Sequence, residues 1–169
     1  MNIDTIIFNQ RLYIDNHYED LAKSFCNLAG QTETRTKERF ILRNWYEGYI
    51  YTLLLGIRTG NREKTINRGE KAPKWSSNYD KQFKYAIAIL LTKKDVLKEL
   101  NLLEYDDLIN NYINSEDTIK RVKKICDEYS NGGLKYLSEQ YANDDSIFDD
   151  YDCLNTIMKT VIEENKVSV

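Results

Sequence analysis

One apolar stretch, residues 40–62 (FILRNWYEGYIYTLLLGIRTGNR), constrains the fold of this chain more than any other. Its apolar and aromatic residues recur every four positions, at Ile41, Trp45, Tyr49, Leu53 and Ile57, with Ile50 and Leu54 beside them. This spacing places one broad apolar stripe on a helix. Gly60 can supply the left-handed residue that follows the last turn of a helix, where Arg58 and Arg62 stand. We therefore predict a central helix that holds two guanidinium groups at its C-terminal end.

The composition favours helices around a single core. The chain has 169 residues, of which 41% are apolar and 30% charged, and it contains one Pro and seven Gly. This length suits one domain with a sizeable core, and so few helix breakers are typical of a mostly helical protein. We predict a compact all-α, multi-helix single domain over residues 1–169. Residues 2–14 are interpreted as a short extended arm, 31–38 as a polar linker and 164–169 as a frayed tail.

Local signals divide the chain into further helices. A first helix begins at Asp15 or Asn16 and ends at Gly30, and Thr34 or Thr36 is predicted to cap the central helix. Further helices are expected after Ser77, after Thr92, over residues 105–113 and after Ser115. The run Asn131, Gly132 and Gly133 is interpreted as the stop of that last helix, because these residues accept positive φ. A short turn and a final helix from Ile147 or Phe148 complete the chain.

Charge is distributed unevenly along the chain. The net charge is −3, but residues 33–98 hold 15 basic and 7 acidic residues, whereas residues 99–169 hold 7 basic and 16 acidic ones. The most basic part is residues 61–78, a stretch without apolar periodicity that contains the only proline. Long loops in compact domains are often functional. We therefore interpret residues 61–78 as a basic loop that contacts a partner.

The candidate binding residues come from this loop and the helix end before it. They are Arg58, Arg62, Lys64, Arg68, Lys71, Lys74 and Trp75. Guanidinium and ammonium groups suit phosphates, and a neighbouring aromatic ring can stack on a base or sugar. The alternative is a solvated loop whose charges balance the acidic half of the same molecule or of a second copy. A sequence pI near 5.3 argues against a strong, isolated nucleic-acid binder.

Motifs for catalysis or for a metal are not evident. Cys26, Cys126 and Cys153 are widely spaced and stand among apolar residues, which indicates reduced, buried thiols. With one histidine, His17, the chain lacks the ligand spacing of a zinc site. We expect no cofactor, no metal and no catalytic residue.

The acidic segment near the C-terminus is the one place where a divalent cation is conceivable. Its carboxylates are Asp144, Asp145, Asp149, Asp150 and Asp152. They lack the spacing of a calcium loop, so we interpret this segment as a solvated or partner-facing surface. No apolar run reaches the roughly 18 residues of a membrane span, and the N-terminus lacks a basic region before its apolar part. A cytoplasmic location without membrane contact is expected.

Two short motifs carry a resemblance to a known family. The first comprises Leu55, Gly56, Ile57, Gly60 and Arg62; the second comprises Asp127, Glu128, Tyr129, Ser130, Asn131, Gly132 and Gly133. In this order, with a basic loop between them, the chain resembles the DNA phosphorothioation (Dnd) system-associated protein 4 family. The resemblance implies a prokaryotic, cytoplasmic, helical accessory protein encoded with DNA-modification or phage-defence machinery. It implies no assigned reaction.

The predicted function is that of a non-enzymatic accessory or adaptor protein. Its basic loop would bind nucleic acid or an acidic partner, and its protein partner would belong to a defence complex. One alternative is a divalent-metal-dependent nuclease or nucleotide-hydrolysing subunit that uses the C-terminal aspartates. The other is a structural protein that self-assembles into a homo-oligomer through its opposite charges.

Overall fold

The computed structural model describes residues 11–26, 41–71, 77–102 and 116–164, with the backbone alone at residues 69–71 and 77. Over these residues the chain is mostly helical, as predicted. The helices are α1 (Glu19–Phe25), α2 (Trp45–Thr59), α3 (Asp80–Leu90), α4 (Lys94–Glu99), α5 (Glu116–Asn143) and α6 (Cys153–Glu164). Two short strands, β1 (Tyr13–Asp15) and β2 (Arg68–Lys71), pair antiparallel. The predicted helix over residues 105–113, the linker and the tail lie outside the described residues.

The predicted central helix is α2, and its apolar stripe is buried. Trp45, Tyr49, Leu53 and Ile57 are at most 5% exposed. The helix begins at Trp45, because the Asn44 side chain accepts hydrogen bonds from the backbone N–H groups of Tyr46 and Glu47 at 3.0 and 3.1 Å. The prediction of a cap at Thr34 or Thr36 was therefore wrong. Gly60 ends the helix with a φ of 74°, as predicted.

The longest helix is α5, and it corrects the prediction that Asn131, Gly132 and Gly133 stop a helix. It runs for 28 residues straight through this motif. Its glycines serve close contact instead, because α5 crosses α2 there. A Cβ atom at Gly133 would lie 2.0 Å from the carbonyl oxygen of Thr52, and one at Gly56 would lie 1.9 Å from that of Tyr129. Only glycine lets the two backbones approach so closely.

Polar atoms are paired inside this contact. The hydroxyl oxygens of Thr52 and Ser130 lie 2.7 Å apart, and both side chains are buried. Thr52 also donates toward carbonyls of its own helix, at Gly48 and Tyr49. Since every buried polar group needs a partner, this pair specifies how α2 and α5 face each other.

The rest of the core packs around this helix pair. Apolar side chains from all six helices and from β1 form one buried cluster, which includes Phe25, Phe83, Val96 and Val161. Cys26, Cys126 and Cys153 are buried within it as free thiols, as predicted. Burial, with a smaller contribution from Glu47, raises the pKa of Cys26 to about 12, so that this thiol stays protonated at neutral pH.

Other boundaries also depart from prediction: α1 follows a 3-10 helix over Asn16–Tyr18 and ends at Phe25 rather than at Gly30, because the backbone is extended at Cys26. The acidic segment forms a turn and a short 3-10 helix over Ile147–Asp149, and α6 begins later than expected, at Cys153. Part of the basic loop is a strand, β2, because it pairs with residues of the predicted N-terminal arm. None of the helices in the described ranges is long and apolar enough to cross a bilayer.

The glycine contact predicts an unusual response to substitution. Intrinsic propensity would make Gly133→Ala stabilising in a helix. Because the new methyl group would meet the Thr52 carbonyl, we expect this variant to lose about 3 kcal/mol of unfolding free energy. Urea denaturation of the purified variant measures it.

Gly60→Ala is the matched control. No atom lies within 4 Å of a Cβ atom at this position, but φ is positive. We expect a loss of about 1 kcal/mol there. Equal losses in the two variants would contradict the close-contact role of Gly133.

Candidate anion-binding cleft

The basic loop is fixed to the fold by two buried polar side chains, Asp15 and Asn131. One carboxylate oxygen of Asp15 accepts from the backbone N–H groups of Ile66 and Asn67, at 2.6 and 3.0 Å. Asn131 accepts from the N–H of Asp15 at 2.9 Å and donates to the Thr65 hydroxyl at 2.8 Å. The loop between α2 and β2 is therefore held against β1 and α5.

The ionised form of Asp15 matters for this arrangement. Burial alone would raise its pKa, but the N–H donors of His17, Asn67 and Ile66 together outweigh burial and hold the pKa below its usual value of 3.8. A carboxylate that accepts several backbone hydrogen bonds is stabilised in its charged state. Asp15 therefore binds the loop most strongly as an anion.

Beside this fixed loop, basic side chains surround a cleft of about 760 Å³. We call it the basic cleft. Its lining comprises Arg11, Tyr13, Lys64, Thr65, Arg68, Lys120, Lys123, Lys124, Asp127 and Glu128. Six of these residues are basic and two are acidic, so the lining has a formal charge of +4. They come from three parts of the chain: the start of the described N-terminal part, the loop with the first residue of β2, and α5.

Three of the cations already have carboxylate partners on α5. Lys120 lies 2.8 Å from Glu116, and Lys124 lies 3.8 Å from Glu128. Lys123 donates to Asp127, whose other oxygen accepts from the Tyr49 hydroxyl at 2.8 Å. Burial raises the pKa of Asp127, and the Lys123 ammonium opposes this shift. These lysines are thus positioned by carboxylates in the wall of the cleft.

The other three cations are exposed and carry no ion pair in the part of the chain that is described. They are Arg11, Lys64 and Arg68. The Arg68 guanidinium lies 5.1 Å from the centre of the Tyr13 ring, and the Lys123 ammonium lies 4.4 Å from it. Tyr13 therefore stabilises the two cations and brings a loop residue and an α5 residue together. Arg11, Lys64 and Arg68 are the groups best placed to bind an external anion.

Not every predicted binding residue lines the cleft. Lys64 and Arg68 do, whereas Arg58 is exposed on the last turn of α2 and lies outside the lining. Lys71 ends β2, and its side chain is beyond what the structure describes. Lys74 and Trp75 fall outside the described residues, and their predicted role stays a prediction.

Arg62 is engaged inside the molecule. Its guanidinium bridges Glu128, at 2.5 Å, and Glu99, at 2.5 Å. The hydrogen bond from Arg62 holds the pKa of Glu99 below its usual value. Glu128 is 4% exposed, so Arg62 neutralises a buried carboxylate and joins α4 to α5. Structural pairing accounts for this arginine without any external ligand.

Sequence reasoning missed the contribution of α5. Lys120, Lys123 and Lys124 stand in the run KRVKK, residues 120–124. A signal was present, because four of these five residues are basic. It was hidden when the charges of residues 99–169 were counted together, since 16 acidic residues outweigh the run.

The C-terminal aspartates make local contacts. The carboxylate of Asp144 accepts from the N–H of Ser146 at 3.0 Å, and that of Asp150 accepts from the N–H of Asp152 at 2.9 Å. Such contacts stabilise turns. In residues 11–26, 41–71, 77–102 and 116–164, no three His, Cys, Asp or Glu side chains are grouped as a metal site requires.

The bonds of Asp15 predict an acid-sensitive loop. Because the folded pKa is depressed, the stabilisation is present above pH 3.8 and is lost as the pH falls through the folded value. We expect Asp15→Ala to cost about 1 to 3 kcal/mol of unfolding free energy at pH 7. The difference in unfolding free energy between the variant and wild type should shrink below pH 3.8. Urea titrations at pH 7 and at a pH below 3.8 would measure it. A difference independent of pH would contradict this role.

The bridge from Arg62 predicts a structural phenotype. Arg62→Met would leave the buried carboxylate of Glu128 without its main partner, so we expect a loss of about 3 kcal/mol or more. Lys81→Met, an exposed lysine on α3, should change stability by about 0.5 kcal/mol or less. Thermal unfolding of wild type and of the two variants at equal protein concentration measures the difference in melting temperature. Similar melting temperatures would assign Arg62 to another role.

Comparisons of the chain with models of protein families, with curated proteins and with solved structures gave no match. The family resemblance carried by the motifs at residues 55–62 and 127–133 therefore stays a prediction. The basic cleft is the feature of the structure that bears most directly on function.

Proposed function

We propose that this protein binds the phosphate backbone of nucleic acid through the basic cleft. In this proposal it is a non-enzymatic accessory component of a prokaryotic DNA-modification or phage-defence system. One observation carries the binding activity: six basic side chains from three separate parts of the chain surround one cleft of a protein whose net charge is −3. The assignment to a defence system is supported by the resemblance of the two glycine-containing motifs.

The distribution of charge favours a polymer of phosphates as the ligand. Arg11, Lys64 and Arg68 offer exposed cations, and the three lysines on α5 line the same cleft. Phosphate contacts from Lys and Arg provide most of the affinity of nonspecific nucleic-acid binding. An acidic protein surface is the competing partner, but a concave site suits a narrow strand of linked phosphates better than a folded surface.

The chemistry of the lining indicates binding without a strong preference for sequence. The residues that face the cleft are mainly Lys and Arg, which contact phosphates and position a nucleic acid. Tyr13 already has two cations over its ring, so it is engaged within the protein. The acidic remainder of the molecule would repel phosphates elsewhere, and this repulsion confines binding to the cleft.

The test is a charge reversal within the cleft. We expect Lys64→Glu with Arg68→Glu to weaken binding to labelled single-stranded and duplex DNA of random sequence, measured by fluorescence anisotropy. The change should be roughly uniform across sequences, and the slope of log K against log salt should become less steep by about 1 per cation removed. Melting temperatures of the variants verify that they are folded.

A matched control reverses two exposed lysines that do not line the cleft, Lys81 on α3 and Lys159 on α6. This variant has the same net charge as the cleft variant, and it should keep most of the wild-type affinity. If both variants lose affinity equally, the binding reflects overall charge and the cleft has no special role. If wild type binds neither DNA nor RNA, the proposed function is wrong.

A further inference from the structure

One side chain beside the basic cleft is unusual for its position. Ile66 is 82% exposed, which makes it the most exposed of the large hydrophobic side chains described. It lies at a bend between α2 and β2, a kind of site at which Gly, Asn, Asp and Ser are preferred. A β-branched aliphatic residue is not among those that favour a bend, and the side chain of Ile66 is left available for an external contact.

The backbone under Ile66 is held firmly. Its N–H donates to Asp15 at 2.6 Å, and the N–H of Asn67 donates to the same oxygen at 3.0 Å. The N–H of Asn16 donates to the carbonyl of Asn67 at 2.9 Å. On the other side, the Thr65 hydroxyl accepts from Asn131, which is fully buried. These bonds fix the direction in which the chain carries the Ile66 side chain, which reduces the entropy cost of using it in a contact.

The neighbours of Ile66 connect it to the cleft. Lys64 and Arg68, two residues before and two residues after it, both line the cleft and are exposed. A ligand that contacts both cations spans the stretch of chain that carries this exposed apolar side chain, although Ile66 itself is not among the residues that line the cleft. Nucleic acid combines these properties, since its phosphates lie beside the apolar faces of its bases. Proteins that bind in the minor groove of DNA often insert an apolar wedge between base steps.

We infer that Ile66 is an apolar wedge that contacts nucleic-acid bases while Lys64 and Arg68 hold the flanking phosphates. The inference rests on the proposed function and adds a second type of contact to it. The charged groups provide affinity that depends on salt, and Ile66 provides affinity that does not. Contact with the wedge unstacks the bases that it meets.

The experiment compares Ile66→Ala with wild type and with the Lys64→Glu, Arg68→Glu variant, all as the full chain. The ligands are single-stranded and duplex DNA that carry 2-aminopurine, whose fluorescence rises when it unstacks. We expect Ile66→Ala to bind about fiftyfold more weakly, because roughly three buried carbon atoms are lost. Its salt slope should equal that of wild type, and its 2-aminopurine signal should be lower at saturation. The Lys64→Glu, Arg68→Glu variant should differ from wild type both in affinity and in the slope of log K against log salt.

Tyr85→Ala is the matched control, since Tyr85 is 65% exposed on α3 and does not line the cleft. It should bind like wild type. An unchanged affinity and an unchanged 2-aminopurine signal in Ile66→Ala would overturn the wedge and leave the phosphate-binding cleft intact. If Ile66→Ala binds DNA normally but loses binding to vesicles of phosphatidylglycerol and phosphatidylcholine, the apolar contact is to lipid and the wedge is wrong. Absence of both DNA and RNA binding by wild type would instead refute the proposed function and the wedge with it.

Discussion

The close contact between α2 and α5 is the interaction on which the rest of the structure depends. At this crossing the backbones approach so closely that Gly56 and Gly133 cannot carry even a methyl group, and Gly132 meets the backbone of Asn61, just after α2, in the same way. Glycine weakens a helix by about 1 kcal/mol per residue, so three such positions represent a real cost. Tight packing of two long helices and a buried hydroxyl pair offset that cost. The contact also determines which face of α5 meets the loop after α2.

That face of α5 connects the core to the basic cleft. Asp127, Glu128 and Asn131 are buried, and each has partners from other parts of the chain. Glu128 accepts from Arg62, Asn131 binds Asp15 and Thr65, and Asp127 accepts from Tyr49 and Lys123. These side chains thus hold the loop that carries Lys64 and Arg68 against α5, and both the loop and α5 contribute to the lining of the cleft.

The two motifs that carry the family resemblance meet in this same region. Gly56 and Arg62 belong to the first motif, and each contacts a residue of the second: Gly56 the backbone of Tyr129, and Arg62 the carboxylate of Glu128. A structural reason therefore exists for both motifs to occur in one chain. The same contacts position the cleft, so a substitution in either motif would disturb the core and the cleft together. Lys64, by contrast, lines the cleft and is exposed.

The basic candidates from the sequence and the residues that line the cleft overlap only in part. Lys64 and Arg68 were found because they stand in a stretch that lacks apolar periodicity. Arg62 looks the same in sequence, yet it is an internal bridge, because its partners Glu99 and Glu128 are 37 and 66 residues away. The three lysines of α5 were missed because acidic residues outnumber basic ones over residues 99–169. They are Lys120, Lys123 and Lys124, and they line the same cleft as the loop. Counting charge along a chain cannot show which charges face the same cleft.

The sequence by itself determined the helical class, the buried stripe of α2, its end at Gly60 and the reduced, buried cysteines. These properties depend on local spacing and on the side chains themselves, so neighbouring residues contain the information. Tertiary structure alone decided that Asn131, Gly132 and Gly133 continue a helix rather than stop it. Glycine permits both positive φ and close backbone contact, and only the presence of α2 against α5 selects between them. The basic cleft was decided in the same way, because its walls come from residues more than 50 positions apart.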